Sequence, residues 1–370
     1  MKTVAIFGST GSVGESALKV LSNNKSQFNL VCLSAHSNYE KLKKLKKKHF
    51  SKKIILTDKN LNKQMSLIDK NIILEKNLFK RKKKIDYVIS GTPGYDALSF
   101  NLKLIKISKN LLIANKETII CGGNFFLNYA KKYKCNIIPI DSEHHCVHVA
   151  IKFLKNLNNV DKIYLVASGG PFLQKKIKYN EKIKNVVKHP NWKMGNKISV
   201  DSSTFANKIL ELFEAKILFN LSYKHLKIIV EEESNFHAIL KLKNNIYLPI
   251  VHKPNMQIPI ASSLDLPNKY DLKLSNMNVK FVDPDLKKFP IIKLGFKILK
   301  YYGHAGMIVF NVINDKLVYK FLKNAIKYGD ISKFLINCFK KKYIRKMSKT
   351  KLSCLMDVKK FISKVDKIKL

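Results

Sequence analysis

The tightest constraint on the fold comes from the start of the chain, where TVAIF (residues 3–7) runs into GSTGSVG (8–14) and then ESALKVLSNN. An apolar run that ends in glycine and opens into a segment with Ala17, Leu18 and Leu21 on one side reads as strand, tight turn and helix. Glycines at 8, 11 and 14 let the backbone turn sharply and approach a pyrophosphate closely. Thr10 and Ser12 add hydroxyls, and a helix N-terminus favours an anion. An ordinary strand-to-helix turn is the plainer alternative; the strand before and the helix after favour a dinucleotide.

The alternation continues through FNLVCLSAHS, YEKLKKLKKKHF, KKIILTD, IDYVISG, ISKNLLIANKE and NIIPIDSE. Strand and helix alternating over about 140 residues is the pattern of a parallel, doubly wound sheet. An NAD enzyme usually carries an acid at the end of the second strand. Here that strand ends in His36, Ser37 and Asn38, with no carboxylate before Glu40, which favours the 2′-phosphate of NADPH.

After residue 160 the texture changes. KIYLVASGGPF reads as a strand ending at a glycine turn, and KISVDSSTFANKILELFEAKILF as a strand followed by a long helix. HLKIIVEEES, FHAILKL and NIYLPIVHK read as antiparallel strands, and from about 280 the spacing is helical. The expected fold class is α/β in three parts. These are a Rossmann-like parallel-sheet domain (1–139), a central α/β catalytic domain (140–278) and a C-terminal helical domain (279–370).

Two polar constellations stand out. Asp141, Ser142 and Glu143 follow the apolar IIPI, at the strand end where open α/β sheets bind ligands. In extended chain Asp141 and Glu143 point the same way, and two hard oxygen donors suit Mg²⁺ or Mn²⁺. A solvated loop with a helix cap at Asp141 or Ser142 is the alternative. In SVDSSTFANKILELFEA, Ser202 or Ser203 can cap a helix on which Asn207, Lys208 and Glu211 share one face. That arrangement suits a phosphate, or it is a plain i,i+3 Lys–Glu pair. SGGPF (168–172) offers a second anion-friendly turn. KHPNWKMGNK, with His189, Pro190, Gly195 and the single Trp192, has the composition of a mobile lid or of a loop whose Trp packs locally.

Charge matters next. The chain has 370 residues and a formal charge of +44, yet only Arg81 and Arg345 are arginines. The lysine excess admits two readings, drift toward A/T-rich codons or a polyanionic partner. Nucleic-acid readers recruit Arg for bidentate base contacts, and no finger, helix-turn-helix or aromatic-basic platform is visible, so no nucleic-acid partner is expected. No apolar run reaches 18 residues, so no membrane partner is expected either. Six cysteines without a CxxC pair fit a reducing compartment, and with no h-region after Lys2 the expected location is cytoplasmic.

GSTGSVG, ANKE (114–117), DSEH (141–144), SGGPF, HPNWKMG (189–195) and KISVDSSTFANK (197–208) together resemble the 1-deoxy-D-xylulose 5-phosphate reductoisomerase family, in its order. The resemblance implies isomerisation of 1-deoxy-D-xylulose 5-phosphate and reduction by NADPH to 2-C-methyl-D-erythritol 4-phosphate, on the non-mevalonate route to isoprenoids. It implies that Thr10, Gly11, Ser12 and Val13 hold the NADPH pyrophosphate, with Ser37 and Asn38 near its adenosine end. Asn115, Glu117 and Gly195 would complete the cofactor site. Asp141, Glu143 and Glu211 would ligate Mg²⁺ or Mn²⁺, and Lys116 and Ser142 would gather the hydroxyls and carbonyl of the phosphorylated sugar. Ser168, Ser202, Asn207 and Lys208 would bind its phosphate, with His189 and Trp192 closing over it. A homodimer is implied as well, for which the strands at 226–250 could supply the interface.

The sequence departs from the family at three places, and its last 80 residues match only as a helical, lysine-rich region. Ile209 stands where a small Gly is usual and is expected to crowd its helix face. EEES (231–234) replaces HPQS, and Ser37 replaces a common basic residue. Another NADP-dependent sugar-phosphate or semialdehyde dehydrogenase is the alternative enzyme, and would turn over in a chelator. A basic nucleic-acid-binding protein is a remote alternative resting on charge alone.

Overall fold

The computed structural model describes residues 1–81, 83–192 and 194–369. The chain divides into two compact units, one of residues 1–115, 126–145 and 255–270, the other of 116–125, 146–254 and 271–370.

The first unit follows the alternation. β1 (Lys2–Phe7), α1 (Ser12–Ser22), β2 (Phe28–Ala35), α2 (Tyr39–His49), β3 (Lys53–Leu56), α3 (Lys59–Ser66), α4 (Glu75–Phe79), β4 (Ile85–Ser90), α5 (Ala97–Ile107) and β5 (Ser108–Ile113) come first. α6 (Lys116–Lys132), β6 (Asn136–Pro139) and the start of α7 (Ser142–Leu154) follow. The sheet order is β3-β2-β1-β4-β5-β6, and every pairing is parallel. The order reverses between β1 and β4, so the crevice beyond their C-terminal ends is where such a sheet takes a nucleotide. Val4, Ala5, Ile6 and Phe7 are all fully buried, which is why the central strand is an unbroken apolar run. Ala17, Leu18 and Leu21 of α1 join the core with Ile260, Ala261 and Leu264, which α11 (Gln257–Ser263) and the residue after it supply.

The second unit is built on a four-stranded sheet ordered β10-β9-β7-β8, with β7 (Val160–Ala167), β8 (Leu226–Val230), β9 (Phe236–Leu242) and β10 (Tyr247–Val251). β9 runs antiparallel to both β7 and β10, but β8 is parallel to β7, contrary to the antiparallel expectation for all three later strands. The reason is the connection: a crossover containing α8 (Ile183–Val186), α9 (Asn196–Thr204) and α10 (Ala206–Leu218) carries the chain back to the end of the sheet where β7 began. The C-terminal region is helical as expected, with α12 (Ile291–Tyr301), α13 (Gly303–Leu322), α14 (Tyr328–Lys340), α15 (Lys342–Met347) and α16 (Leu355–Asp366). α13 is buried nearly all round, from Ala305 through Asn314, and packs against α9, α10, α12, α14 and α16.

Two local expectations are corrected. KISVD is not a strand but most of α9, so Ser202 and Ser203 lie inside a helix and do not cap one. Its alternating Ile198 and Val200 mimic a strand, but Ser199, Val200, Asp201, Ser203 and Thr204 are all buried, and tertiary packing overrides the local pattern. Second, Glu143 lies in the first turn of α7, so the extended-chain alternation invoked for Asp141 and Glu143 does not apply.

Candidate active site

The glycine loop of the first unit is shaped by steric need. Gly8 has φ +79°, and a Cβ on Gly14 would sit 2.4 Å from Gly8 O and 2.5 Å from Ser9 Cα. Gly11 is different: it is the extended N-cap of α1, and its added Cβ would meet nothing closer than 3.5 Å. Ser9 ties the loop to the sheet, donating to Ile6 O at 2.9 Å and accepting from Ser34 N at 3.1 Å. The N–H groups of Ser12 and Val13 therefore open the first turn of α1, a ready site for a pyrophosphate. Beyond β2, Ser37 and Asn38 are exposed; Asn38 caps α2 by accepting from Lys41 N at 3.0 Å. Lys41 Nζ is held by Thr10 O at 2.9 Å and Glu15 Oε1 at 2.5 Å, beside the loop. Asn115, 3% exposed, donates to Gly94 O at 3.0 Å and to Thr92 O.

At the end of β6, Asp141 precedes α7 and its carbonyl accepts from His145 N at 2.8 Å. Its carboxylate lies 3.9 Å from Nδ1 of the fully buried His144. Ser142 Oγ donates to Glu143 Oε2 at 2.6 Å. The acidic pair thus brackets a helix start, where the dipole favours negative charge.

In the second unit Asn207, Lys208 and Glu211 share one face of α10 and meet Lys116. Glu211, 1% exposed, accepts from Lys116 Nζ at 3.0 Å and pairs with Lys208 Nζ at 2.5 Å. Asn207 bridges them: its Oδ1 accepts from Lys116 Nζ at 2.8 Å, and its Nδ2 donates to Glu211 Oε1 at 2.5 Å. Lys208 Nζ also donates to Val166 O at 2.7 Å, at the end of β7. Lys116 and Lys208 thus bring two buried ammonium groups to the helix face that carries Asn207, donors of the kind an anion takes. Ile209 does not crowd this helix. It is fully buried over Gly295 of α12, where a Cβ would stand 2.5 Å from Ile209 Cδ1. The volume gained at 209 is matched by the side chain missing at 295.

Ser168, at the other turn of the unit, sits 3.0 Å from His189 Nε2. His189 Nδ1 accepts from the backbone N–H groups of Asn191 (3.2 Å) and Trp192 (3.1 Å), so the ring proton belongs on Nε2 and donates to Ser168 Oγ. Burial pushes the His189 pKa down to about 4, so the ring is neutral at pH 7. The Ser168 hydroxyl keeps its own hydrogen for an incoming acceptor. Gly170 packs on Ser202, linking SGGPF to α9. Trp192 stacks edge-on to His237 at 6.0 Å. Asn191 anchors the same segment by donating to Glu232 O (2.5 Å) and Ser234 Oγ (2.9 Å). The unusual EEES stretch is ordered by Glu231, whose buried carboxylate accepts from Glu233, Asn235 and Phe236 N–H groups at 2.7 to 3.3 Å.

The chain matches the family profile described as 1-deoxy-D-xylulose 5-phosphate reductoisomerase over residues 4–123 and the C-terminal domain of the same enzyme over 137–219. The DXP reductoisomerase C-terminal domain matches over 251–365. A 1-deoxy-D-xylulose 5-phosphate reductoisomerase of Pelagibacter ubique is 40% identical over 355 residues, covering 91% of this chain and 90% of that protein. The chain belongs to the 1-deoxy-D-xylulose 5-phosphate reductoisomerase family. A reductoisomerase of that name from Ehrlichia canis is 37% identical, covering 90% of this chain and 89% of that protein. A crystal structure of DOX-P reductoisomerase in complex with NADPH, fosmidomycin and magnesium superposes with a TM-score of 0.89 at 30% identity, covering 99% of this chain and 97% of that one. The Zymomonas mobilis reductoisomerase in complex with NADPH gives 0.85 at 25%, with the same coverage.

Sequence reading of this reductoisomerase missed Asn191 and, above all, Lys197. Lys197 pairs with Asp201 at 2.8 Å as an i,i+4 contact, visible only once KISVD is read as a helix.

Proposed function

We propose that the protein converts 1-deoxy-D-xylulose 5-phosphate to 2-C-methyl-D-erythritol 4-phosphate with NADPH and Mg²⁺ or Mn²⁺. The observation that carries this reading is the buried Glu211 carboxylate held between Lys116 and Lys208 on the helix that also presents Asn207. Thr10, Gly11, Ser12 and Val13 take the NADPH pyrophosphate in the glycine cradle, with Ser37 and Asn38 at its adenosine end and Asn115, Glu117 and Gly195 completing the cofactor site.

Asp141, Glu143 and Glu211 are the ligands assigned to the divalent ion, on the chemistry of hard carboxylate donors. The donor set fits such an ion, because all three residues offer hard carboxylate oxygens and the buried Glu211 carboxylate requires cationic company. The ion, when bound, supplies Lewis acidity toward the paired oxygens of a hydroxy-ketone. Lys116 and Ser142 orient the sugar's hydroxyls and carbonyl, so that the carbon–carbon bond to be cleaved is held in one geometry. Lys208, Asn207, Ser202 and Ser168 take the phosphate, whose binding energy orients the distant reacting carbons. His189, neutral and donating from Nε2, fixes the Ser168 hydroxyl. Trp192 and its loop exclude water from the aldehyde formed before reduction.

Three further assignments go with this reading. The functional boundaries are 1–139, 140–278 and 279–370. The location is cytoplasmic, in keeping with six cysteines that form no disulfide, five of them buried; no helix among the described residues is long and apolar enough to cross a membrane. The assembly is a homodimer, supported by an apolar cavity of about 360 Å³ on the second sheet, lined by Tyr164, Ile229, Phe236, Ile239, Tyr247 and Phe281, among others.

The test is loss of NADPH absorbance on addition of the ketose phosphate, with and without EDTA, repeated for Glu211→Gln. Both EDTA and the substitution are expected to lower the rate at least a hundredfold. Undiminished turnover in chelator overturns the metal-dependent reading in favour of another NADP dehydrogenase.

A further inference from the structure

We propose that Lys197 is a positioning residue for the cofactor side of the site, tying the first turn of α6 to α9 and to the C-terminal helix α13. The inference rests on the assignment of Glu117 and Gly195 to the cofactor site made above.

The ammonium of Lys197 lies 2.5 Å from Glu117 Oε1 on α6, 2.8 Å from Asp201 Oδ2 on α9 and 3.5 Å from Asp315 Oδ1 on α13. Asp201 is 1% exposed, and its second oxygen accepts from Asn314 Nδ2 at 2.7 Å. Asn314 is fully buried and neighbours Asp315, so α13 grips the cluster twice. An isolated Lys197–Asp201 pair would be an ordinary surface-type helix contact. The reach to Glu117, 80 positions away in sequence, is what makes the lysine a tie between elements.

The position of that tie gives it a task. Glu117 is 7% exposed and shares the first turn of α6 with Lys116. Lys116 turns to Asn207 and Glu211 while Glu117 turns to Lys197, so the two contacts fix the rotation of that turn from opposite sides. Lys197 also lies two residues beyond Gly195, whose carbonyl accepts from both the backbone N–H (3.1 Å) and hydroxyl (3.0 Å) of Ser199. Holding Lys197 therefore holds Gly195 as well.

Three carboxylates converge on one ammonium in a partly buried place, with Lys197 and Asp315 each 25% exposed, and their mutual repulsion is costly unless the cation stays. Burial pushes the lysine pKa down, but Asp201, Glu117 and Asp315 more than offset it, and it stands above the usual lysine value. Burial pushes Glu117 up, yet the charge of Lys197 outweighs it and keeps this carboxyl below its usual range. Without Lys197 the acids repel one another, and Glu117 loses the partner that sets its direction.

The experiment is fluorescence titration of NADPH into the full-length protein, for the parent, Lys197→Met, Lys197→Arg, Asp315→Asn and Glu117→Gln. Circular dichroism checks the fold, and steady-state kinetics give KM for the ketose phosphate. K197M is expected to weaken NADPH at least tenfold with KM for the ketose phosphate within twofold. K197R should stay within threefold of the parent, and D315N should weaken NADPH two- to fivefold. A folded K197M with NADPH affinity within twofold of the parent overturns the proposal, even where E117Q weakens binding. If K197M does not fold, unchanged NADPH affinity in D315N overturns it instead. Unchanged affinity in E117Q marks a failure of the Glu117 assignment itself.

Discussion

Replacing Gly295 by Ala asks whether α10 is held in place by a matched pair of side chains. The Cβ introduced on α12 would stand 2.5, 2.6 and 2.9 Å from Cδ1, Cγ2 and Cγ1 of Ile209. Carbon atoms rest at about 3.5–4.0 Å, so the two helices must part by roughly 1 Å at this point. Ile209 cannot evade the contact, because it is fully buried and three of its own carbons surround the new atom. Overpacking of this kind costs about 3 kcal/mol at the upper end of its range. Removing a glycine from a helix interior returns about 1 kcal/mol. The expected net loss for Gly295→Ala is about 2 kcal/mol. Ile209→Ala alone should cost about 3 kcal/mol, from lost burial and the cavity left behind. In the double variant the small residue at 209 makes room for the methyl at 295, so the two losses should not add. The coupling energy from urea unfolding should be about 2–3 kcal/mol. Additivity within about 0.5 kcal/mol would refute the packing argument. The same substitution should lower turnover, because Asn207, Lys208 and Glu211 ride on the helix that Ile209 anchors.

Two further outcomes follow from the geometry. His189 has a folded pKa near 4 against 6.5 for the free side chain, so the folded state binds fewer protons than the unfolded chain between those values. Its stabilisation is complete above about pH 6.5 and lost as pH falls through about 4; with partial exposure discounted it is worth roughly 1–2 kcal/mol. His189→Asn should flatten the pH dependence of the urea midpoint between those limits, and an unchanged slope would remove the ring's burial as its cause. Tyr247→Glu, on a strand where Tyr247 is 52% exposed beside the apolar cavity, should shift sedimentation from dimer to monomer; a parent that already sediments as a monomer defeats the homodimer reading.

The first unit was legible because its signals are local. Each strand of the parallel sheet is an apolar run of its own, and the glycine spacing states a steric requirement at Gly8 and Gly14 that holds whatever packs nearby. Site residues were legible as types for the same reason, since Asn207, Lys208 and Glu211 share a helix. Their partner Lys116 was legible only through family resemblance, because 95 positions separate it from Glu211. β8 was misread because its direction is set by the crossover before it and not by its residues.

The most instructive failure is KISVD, because it lies at the site. As a strand, residues 197 and 201 would be about 13 Å apart; as a helix their side chains meet, and the pair reaches Glu117 and Asp315. What holds this stretch helical is not its propensity. Ser203 Oγ and Thr204 Oγ1 bond back to Val200 O, and the helix ends at Phe205 in the left-handed region, φ +65°, where a bulky residue costs about 1–2 kcal/mol. That strain persists because the Phe205 ring is 2% exposed and lies 4.4 Å from the Phe289 ring. The break restarts the chain as α10 at Ala206, one residue before Asn207. A single strained residue, held by an aromatic from the C-terminal region, therefore sets the phase of the helix that carries Asn207, Lys208 and Glu211. No local pattern can announce such a residue, because its conformation is fixed by a ring 84 positions further along the chain.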